Sequence, residues 1–319
     1  MLSRTADNLF WIARYLERAE TTARLLEVGA RIALIPSAGH GYRSEWESLL
    51  HASGTADGFK AKYGDPVQRN IESYMFFDRD NPSSVVSCLE RARENARIVR
   101  TALTGQVWDA LNTAYQELRA LERKPRSEIE LTELTEWVVR QTAMVRGAMD
   151  STLLRNDGYH FLNLGSALER ADNTARLIDV KYFVLLPSVD LVGSELDNYQ
   201  WQTLLRALSA HRAFHWAYGG EITAAKIADF LILNRQSPRS LIASAEAAMA
   251  HLDALGRIYH HSGPAQRRAR AIVGDLAETR VSDIFNEGLH EFLTRFIREV
   301  GVVSSFVHDA YLSGEARCS

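Results

Sequence analysis

The segments LERAETTARLLE (16–27), CLERARENARIVR (88–100) and ALERADNTARLID (167–179) write nearly the same charged helix three times. In each, apolar residues recur at spacings of three and four with Glu and Arg between them, a period that a helix satisfies and a strand does not. Elsewhere Leu, Ala, Arg and Glu keep the same spacing, Gly and Pro are sparse, and β-branched alternation is almost absent. The fold class predicted is all-α.

The spacing predicts a first helix over about 3–34, with Ser3 as cap and Pro36 beyond its end. On it Leu9, Ile12, Leu16, Ala19, Ala23 and Leu26 form one apolar stripe. Shorter helices follow near 42–53 and 66–79. DNPSS at 80–84 reads as a turn in which Asn81 caps and Pro82 opens a helix running to about 103. Trp108, Leu111 and Tyr115 mark the next helix, and a charged link at 121–130 precedes another to about 154.

After NDGYH at 156–160 the pattern restarts. Leu16, Glu17, Arg18 and Arg24 match Leu168, Glu169, Arg170 and Arg176 at an offset of 152; Trp46 matches Trp201 at 155; FFDRDNPSS (76–84) matches ILNRQSPRS (232–240) at 156. Matched segments in one order predict a large helical bundle built from an internal duplication, with pseudo-twofold related halves at 1–156 and 157–319 packed as one unit. A fourth copy falls near 241–252, where Glu246 stands for Glu90 but Ala247 and Asp253 replace Arg91 and Arg97.

The charge balance, 37 Lys and Arg against 40 Asp and Glu, gives a net −3. No overall basic field therefore argues for nucleic acid or an anionic membrane surface. The longest apolar run, VKYFVLLP at 180–187, is far short of the roughly 20 residues that span a bilayer, and the N-terminal stretch does not resemble a signal peptide. With two cysteines, Cys88 and Cys318, there is no disulfide framework and no thiolate metal site. The expectation is a cytoplasmic protein.

On a helical wheel Arg14, Glu17, Glu20, Thr21 and Arg24 form a polar sector beside the apolar stripe. Glu90, Glu94, Asn95 and Arg97 fill a related sector in the second copy, and Glu169, Asp172, Asn173 and Arg176 in the third. One reading makes these sectors solvated surface or interhelical ion pairs in a structural scaffold without a ligand. The sharper reading turns them toward a shared pocket, because the guanidinium fork matches carboxylates and phosphates and suits an anionic or zwitterionic peptide or amino acid. Asn8 and Trp11, earlier on the first helix, either cap the core or line the pocket entrance. A third reading is an enzyme, an amide or peptide transferase or hydrolase, with Glu17, Glu94 and Glu169 as acid–base candidates; an acid working near neutrality needs a raised pKa.

Metal is not expected, since the arginines beside the acids occupy a cation's electrostatic role. The Glu-x-x-His signature that a di-iron bundle repeats on two helices is not repeated here. His211 and His215 lie one turn apart without an identifiable third ligand. P-loop, GxGxxG, GxSxG and CxxC motifs are missing. Cys88 reads as an inert core thiol, and most tryptophans read as core.

LERAExxAR, the DNPSS turn with CLERARENAR, and HFLNLGSALERADNTARLIDV (160–180) together resemble the bacterial alpha-E family over nearly the full chain. The resemblance carries onto Asn8, Trp11, Arg14, Tyr15, Glu17, Arg18, Glu20 and Arg24. It continues with Asn81 to Ser84, Arg91, Glu94, Asn95 and Arg97, then with His160, Glu169, Arg170, Asp172 and Arg176. A final turn matches at Pro238, Arg239 and Ser240, whereas Ser166 stands where the family often has arginine. The family's genes commonly accompany a circularly permuted ATP-grasp peptide-ligase-like protein and a transglutaminase-like protease. The resemblance thus implies an accessory or catalytic part in an amidoligase system making or modifying small peptides, with ATP and Mg held by the partner and no cofactor on this chain.

Overall fold

The computed structural model describes residues 1–33, 43–185, 195–220 and 222–313. Among them are fifteen α-helices and no strand. The first half runs α1 (Ser3–Ala33), α2 (Arg43–Ser53), α3 (Ala56–Tyr63), α4 (Gln68–Glu72), α5 (Val85–Ile98), α6 (Gly105–Glu122) and α7 (Leu131–Thr152). The second runs α8 (Asp157–Leu185), α9 (Glu195–Ala207), α10 (His211–Tyr218), α11 (Ala224–Ala228), α12 (Leu241–Ile258), α13 (Pro264–Glu278), α14 (Val281–Glu287) and α15 (Leu289–Val307). Pro36, Cys318 and the end of the 180–187 run lie outside the described residues. No helix among those described is long and apolar enough to cross a membrane.

One contiguous buried cluster extends from Ala6 to Leu312. At its centre lies α1, packed against α5, α7 and α8. Its stripe of Leu9, Ile12, Leu16, Ala19, Ala23 and Leu26 is buried as the periodicity requires, and so are Glu17, Glu20 and Arg24 on the polar sector. A helix enclosed on that many sides cannot send its charges to water, so neighbouring helices must answer them. The crossing with α8 is close: a Cβ on Gly165 would stand 2.3 Å from the Phe10 carbonyl oxygen. Glycine at that position lets the two backbones approach.

The turns before α5 and α12 correct one expectation. Ser84, not Asn81, caps α5, its hydroxyl accepting from the Ser87 N–H at 3.1 Å. Asn81 is instead buried as the brace of the turn, accepting from the Ser83 N–H and donating to the Tyr74 carbonyl, each at 3.0 Å. Ser240, 156 residues after Ser84, caps α12 through the Ala243 N–H at 3.1 Å. Other local features recur at that offset. Short π-helical turns occupy Ser73–Phe77 and Asp229–Leu233, and Arg79–Glu90 and Arg235–Glu246 are both paired at 2.7 Å. The 66–79 segment is thus α4 followed by a π turn, and α3 went unread in the sequence.

Most tryptophans are core or packed against it, but Trp216 is 86 % exposed. Cys88 is fully buried, and that burial pushes its thiol up to about 12, ahead of the opposing pull of Arg18. It is no nucleophile near neutrality.

Candidate functional site

Glu17 and Glu20 are 1 % and 0 % exposed, which carboxylates sustain only against compensating charge. Four arginines supply it. Arg24, one turn along α1, places Nε 2.9 Å and Nη2 2.7 Å from Glu20 Oε1. Arg146 of α7 bridges both acids, with Nη1 3.0 Å from Glu17 Oε1 and Nη2 2.5 Å from Glu20 Oε2. Arg170 of α8 donates to Glu17 Oε1, as the Ser166 hydroxyl does at 2.8 Å. Arg239, in the turn before α12, donates to Glu20 Oε1 and stands 3.7 Å from Glu17 Oε2. The Thr142 hydroxyl adds a bond to Glu20 Oε2 at 3.1 Å.

Glu169, on α8, is buried in the same way. Arg14 Nε reaches its Oε2 at 2.6 Å and Arg18 Nε its Oε1 at 2.7 Å. Arg14 is fixed further by its bond to Ser304 Oγ of α15 at 2.8 Å. The Glu-Arg dipeptides at 17–18 and 169–170 therefore exchange partners: Glu17 takes Arg170, and Glu169 takes Arg18. The exchange ties the first copy of the repeat on α1 to the third on α8.

Burial alone would raise all three carboxyls, but the arginines outweigh it. Arg170, Arg146 and Arg239 hold Glu17 below the usual carboxylate range; Arg239, Arg146 and Arg24 do so for Glu20; Arg14 and Arg18 do so for Glu169. The acids are ionised near neutrality and none has the raised pKa that a general acid needs. Cation remains in surplus around Glu17 and Glu20, with four guanidiniums against two carboxylates. Burial first, opposed by Glu20 and Glu17 but aided by the charges of Arg24 and Arg170, brings Arg239 down to about 10.

This cluster borders a partly enclosed cavity of about 140 Å³, lined by Glu17, Arg146, Asn163, Ser166, Arg170 and His251 with apolar residues of α1, α7 and α8. Asp150 stands at its exposed edge. Arg170 Nε and Glu17 Oε2, one donor and one acceptor, are buried without a hydrogen bond. His251 is brought down to about 4, by burial first and then by His160, whose Nδ1 lies 3.0 Å from its own. His251 lines the cavity and His160 stands against its ring; burial holds both rings as neutral imidazoles near neutrality.

The first and third copies of the repeat thus meet, and the second does not. Glu94 pairs with Arg97 on the surface, where the two are 49 % and 60 % exposed. The hydrogen bond from Arg97 lowers the Glu94 pKa, so this expected acid is a solvated surface pair rather than part of the cluster. Asn95 is half-buried on the same helix. Arg91 is exposed but lies 5.8 Å over the Tyr15 ring, which also carries Arg18 at 6.0 Å. Trp11 stacks on Tyr15 at 5.2 Å and lies beneath Arg14 at 4.8 Å, beside a third cavity of about 370 Å³. Asn8 donates to the Arg4 carbonyl on its own helix at 2.6 Å. Asp172 and Arg176 pair at 2.7 Å across one turn of α8. Among the described residues no group of three or more His, Cys, Asp or Glu is arranged to hold a metal.

Arg146 and Thr142 escaped the sequence reading because α7 carries no copy of the repeat. Arg239 was visible only as part of a turn.

A family model, Alpha-E, described as "a predicted alpha-helical domain with a conserved ER motif", matches residues 1–312. Uncharacterised proteins of Mycobacterium bovis and of Mycobacterium tuberculosis are 23 % identical over 271 residues, covering 78 % of this chain and 29 % of theirs. The chain thus spans less than a third of the length of these curated relatives. No solved structure matches.

Proposed function

The chain belongs to the Alpha-E family, and from that premise we propose that it is a substrate-binding or product-binding helical component of an ATP-grasp amidoligase system. In this reading it holds the carboxylate of a small anionic or zwitterionic amino acid or peptide in the cavity beside Glu17. The observation that carries the reading is the excess of guanidinium over carboxylate in the buried cluster that borders that cavity. A purely structural lattice gains nothing from a buried cation without a counter-ion, whereas a ligand carboxylate supplies one. Glu17 Oε2 is placed to accept from a ligand ammonium, which fits a zwitterion. ATP and Mg belong to the ATP-grasp partner, and this chain positions the small molecule for it.

Isothermal titration with L-glutamate, succinate and glycylglycine tests the reading. Saturable binding that Arg146→Met abolishes and the surface variant Glu136→Gln leaves intact is expected. No saturable heat with any of the three, from protein that keeps its helical circular dichroism, ends it. The partnership is tested separately by mixing with a circularly permuted ATP-grasp protein from the same source. Failure to co-elute would remove that part alone.

A further inference from the structure

A second cavity of about 220 Å³ lies between α1, α8 and the turn at Ser83. Its polar lining includes Arg18, Thr21, Ser53, Asn173 and Arg176. Asn173 is 6 % exposed and its Nδ2 is buried without a hydrogen-bond partner. An unmet amide donor of this kind is costly to bury, and the residue that carries it lines the cavity. The Thr21 hydroxyl likewise makes no hydrogen bond among the described residues. Arg18 engages Glu169 through Nε and Nη2, leaving Nη1. Arg176 engages Asp172 through the same two nitrogens, and its Nη1 has only a 3.5 Å contact with the Ala52 carbonyl. The cavity's own lining sets Arg18 and Arg176 against Glu169 and Asp172; Arg14, reaching Glu169 from outside the lining, leaves the ion-pair cluster with one positive charge over.

We propose that this cavity is a second, separate ligand site that takes a carboxylate monoanion, bound by Asn173 Nδ2, the Thr21 hydroxyl and the Nη1 groups of Arg18 and Arg176. Donors from four residues of one lining, in a cluster with a single surplus charge, match a carboxylate better than a phosphate dianion, which would leave one negative charge unanswered. The site goes beyond the cavity at Glu17, because the two linings share no residue.

The experiment is a titration of isotope-labelled full-length protein with acetate and, in parallel, with inorganic phosphate, following the side-chain amide resonance of Asn173 assigned by its loss in Asn173→Ala. Acetate is expected to shift that resonance saturably. The nearly isosteric Thr21→Val should keep the fold and weaken the response about tenfold, the loss of one hydrogen bond to a charged group. Arg146→Met acts on the first cavity and should leave this titration in place, so the two proposals fail separately. An unmoved Asn173 resonance, a response unchanged in Thr21→Val, or tighter binding of phosphate than of acetate would each overturn the assignment.

Discussion

Arg18 Nε lies 2.7 Å from Glu169 Oε1, and the same two residue types, displaced by 152 positions, form the Arg170–Glu17 pair. The exchange joins α1 to α8 at two points on one seam. Both carboxylates are buried, so removing Glu169 leaves Arg14 and Arg18 unanswered, whereas removing Arg18 with it leaves only Arg14. A double-mutant cycle of Arg18→Met and Glu169→Leu is therefore expected to be strongly non-additive. The Glu169→Leu single loses roughly 3–5 kcal/mol, and the double variant recovers much of it. Urea unfolding monitored by circular dichroism reads the cycle; additive losses would mean that the pair is not coupled.

Acid should unfold the protein in two stages. His251, brought down to about 4 from an ordinary 6.5, stays neutral when folded and takes up a proton when unfolded, so stability declines as pH falls from about 6.5. Glu17, Glu20 and Glu169 have folded pKa values below their ordinary 4.5. Their contribution is complete above that value and is lost as pH falls through the lower folded values. A Tm profile should slope gently below pH 6.5 and steeply below about 4.5. His251→Asn should flatten the gentle part, leaving the smaller share of His160 and His211, whose burial also lowers them, and should not change the steep part.

The all-α class and the central place of the first helix were legible because a period of 3.6 residues is written into side-chain identity. Glu17, Arg18, Glu169 and Arg170 were legible because the pairing that holds them is reciprocal and so leaves its mark twice. Glu94 misled for the same reason: it stands in a matching sequence, but its face of α5 meets solvent, and sequence does not tell which sector of a helix a neighbour covers. Arg146 left no mark, since a single arginine on an ordinary amphipathic helix is indistinguishable from solvated surface until α7 is laid across α1. Residue type says that most tryptophans are core but not which one stays out: α10 buries Phe214 and leaves Trp216 exposed.

Cys88 offers a test of the packing around the cluster. Its thiol is buried and pushed up to about 12, so alkylation requires unfolding. In a Cys318→Ser background, iodoacetamide at pH 8 should leave native protein unmodified by intact mass and add one label in denaturant. Rapid labelling of native protein would mean that α5 opens locally beside Arg18.

The charge surplus predicts an asymmetry between acids and bases. Glu20→Gln leaves Arg24, Arg146 and Arg239 facing one another, while Arg239→Met takes away a cation already crowded by Arg24 and Arg170. Glu20→Gln should lower Tm markedly more than Arg239→Met. Added succinate should partly restore Glu20→Gln, because an anion that binds only the folded form stabilises it by mass action. Equal losses from the two variants would show that the cluster is balanced rather than over-cationic.

Gly165 tests whether the seam depends on the approach of the backbones. An added Cβ would meet the Phe10 carbonyl oxygen at 2.3 Å, and a main-chain atom inside a helix cannot rotate away as a side chain can. Gly165→Ala must therefore push α1 from α8, at the roughly 1–3 kcal/mol typical of overpacking. The displacement acts on ion pairs as well as on apolar contacts, since Ser166, Glu169 and Arg170 follow directly along α8. Within the variant, the extra cost of Arg18→Met should then be smaller than in the native protein, because the pair has already been drawn apart. If Gly165→Ala unfolds at the native urea midpoint, or leaves the Arg18–Glu169 coupling at full strength, close packing at this crossing is not what holds the exchanged pairs together.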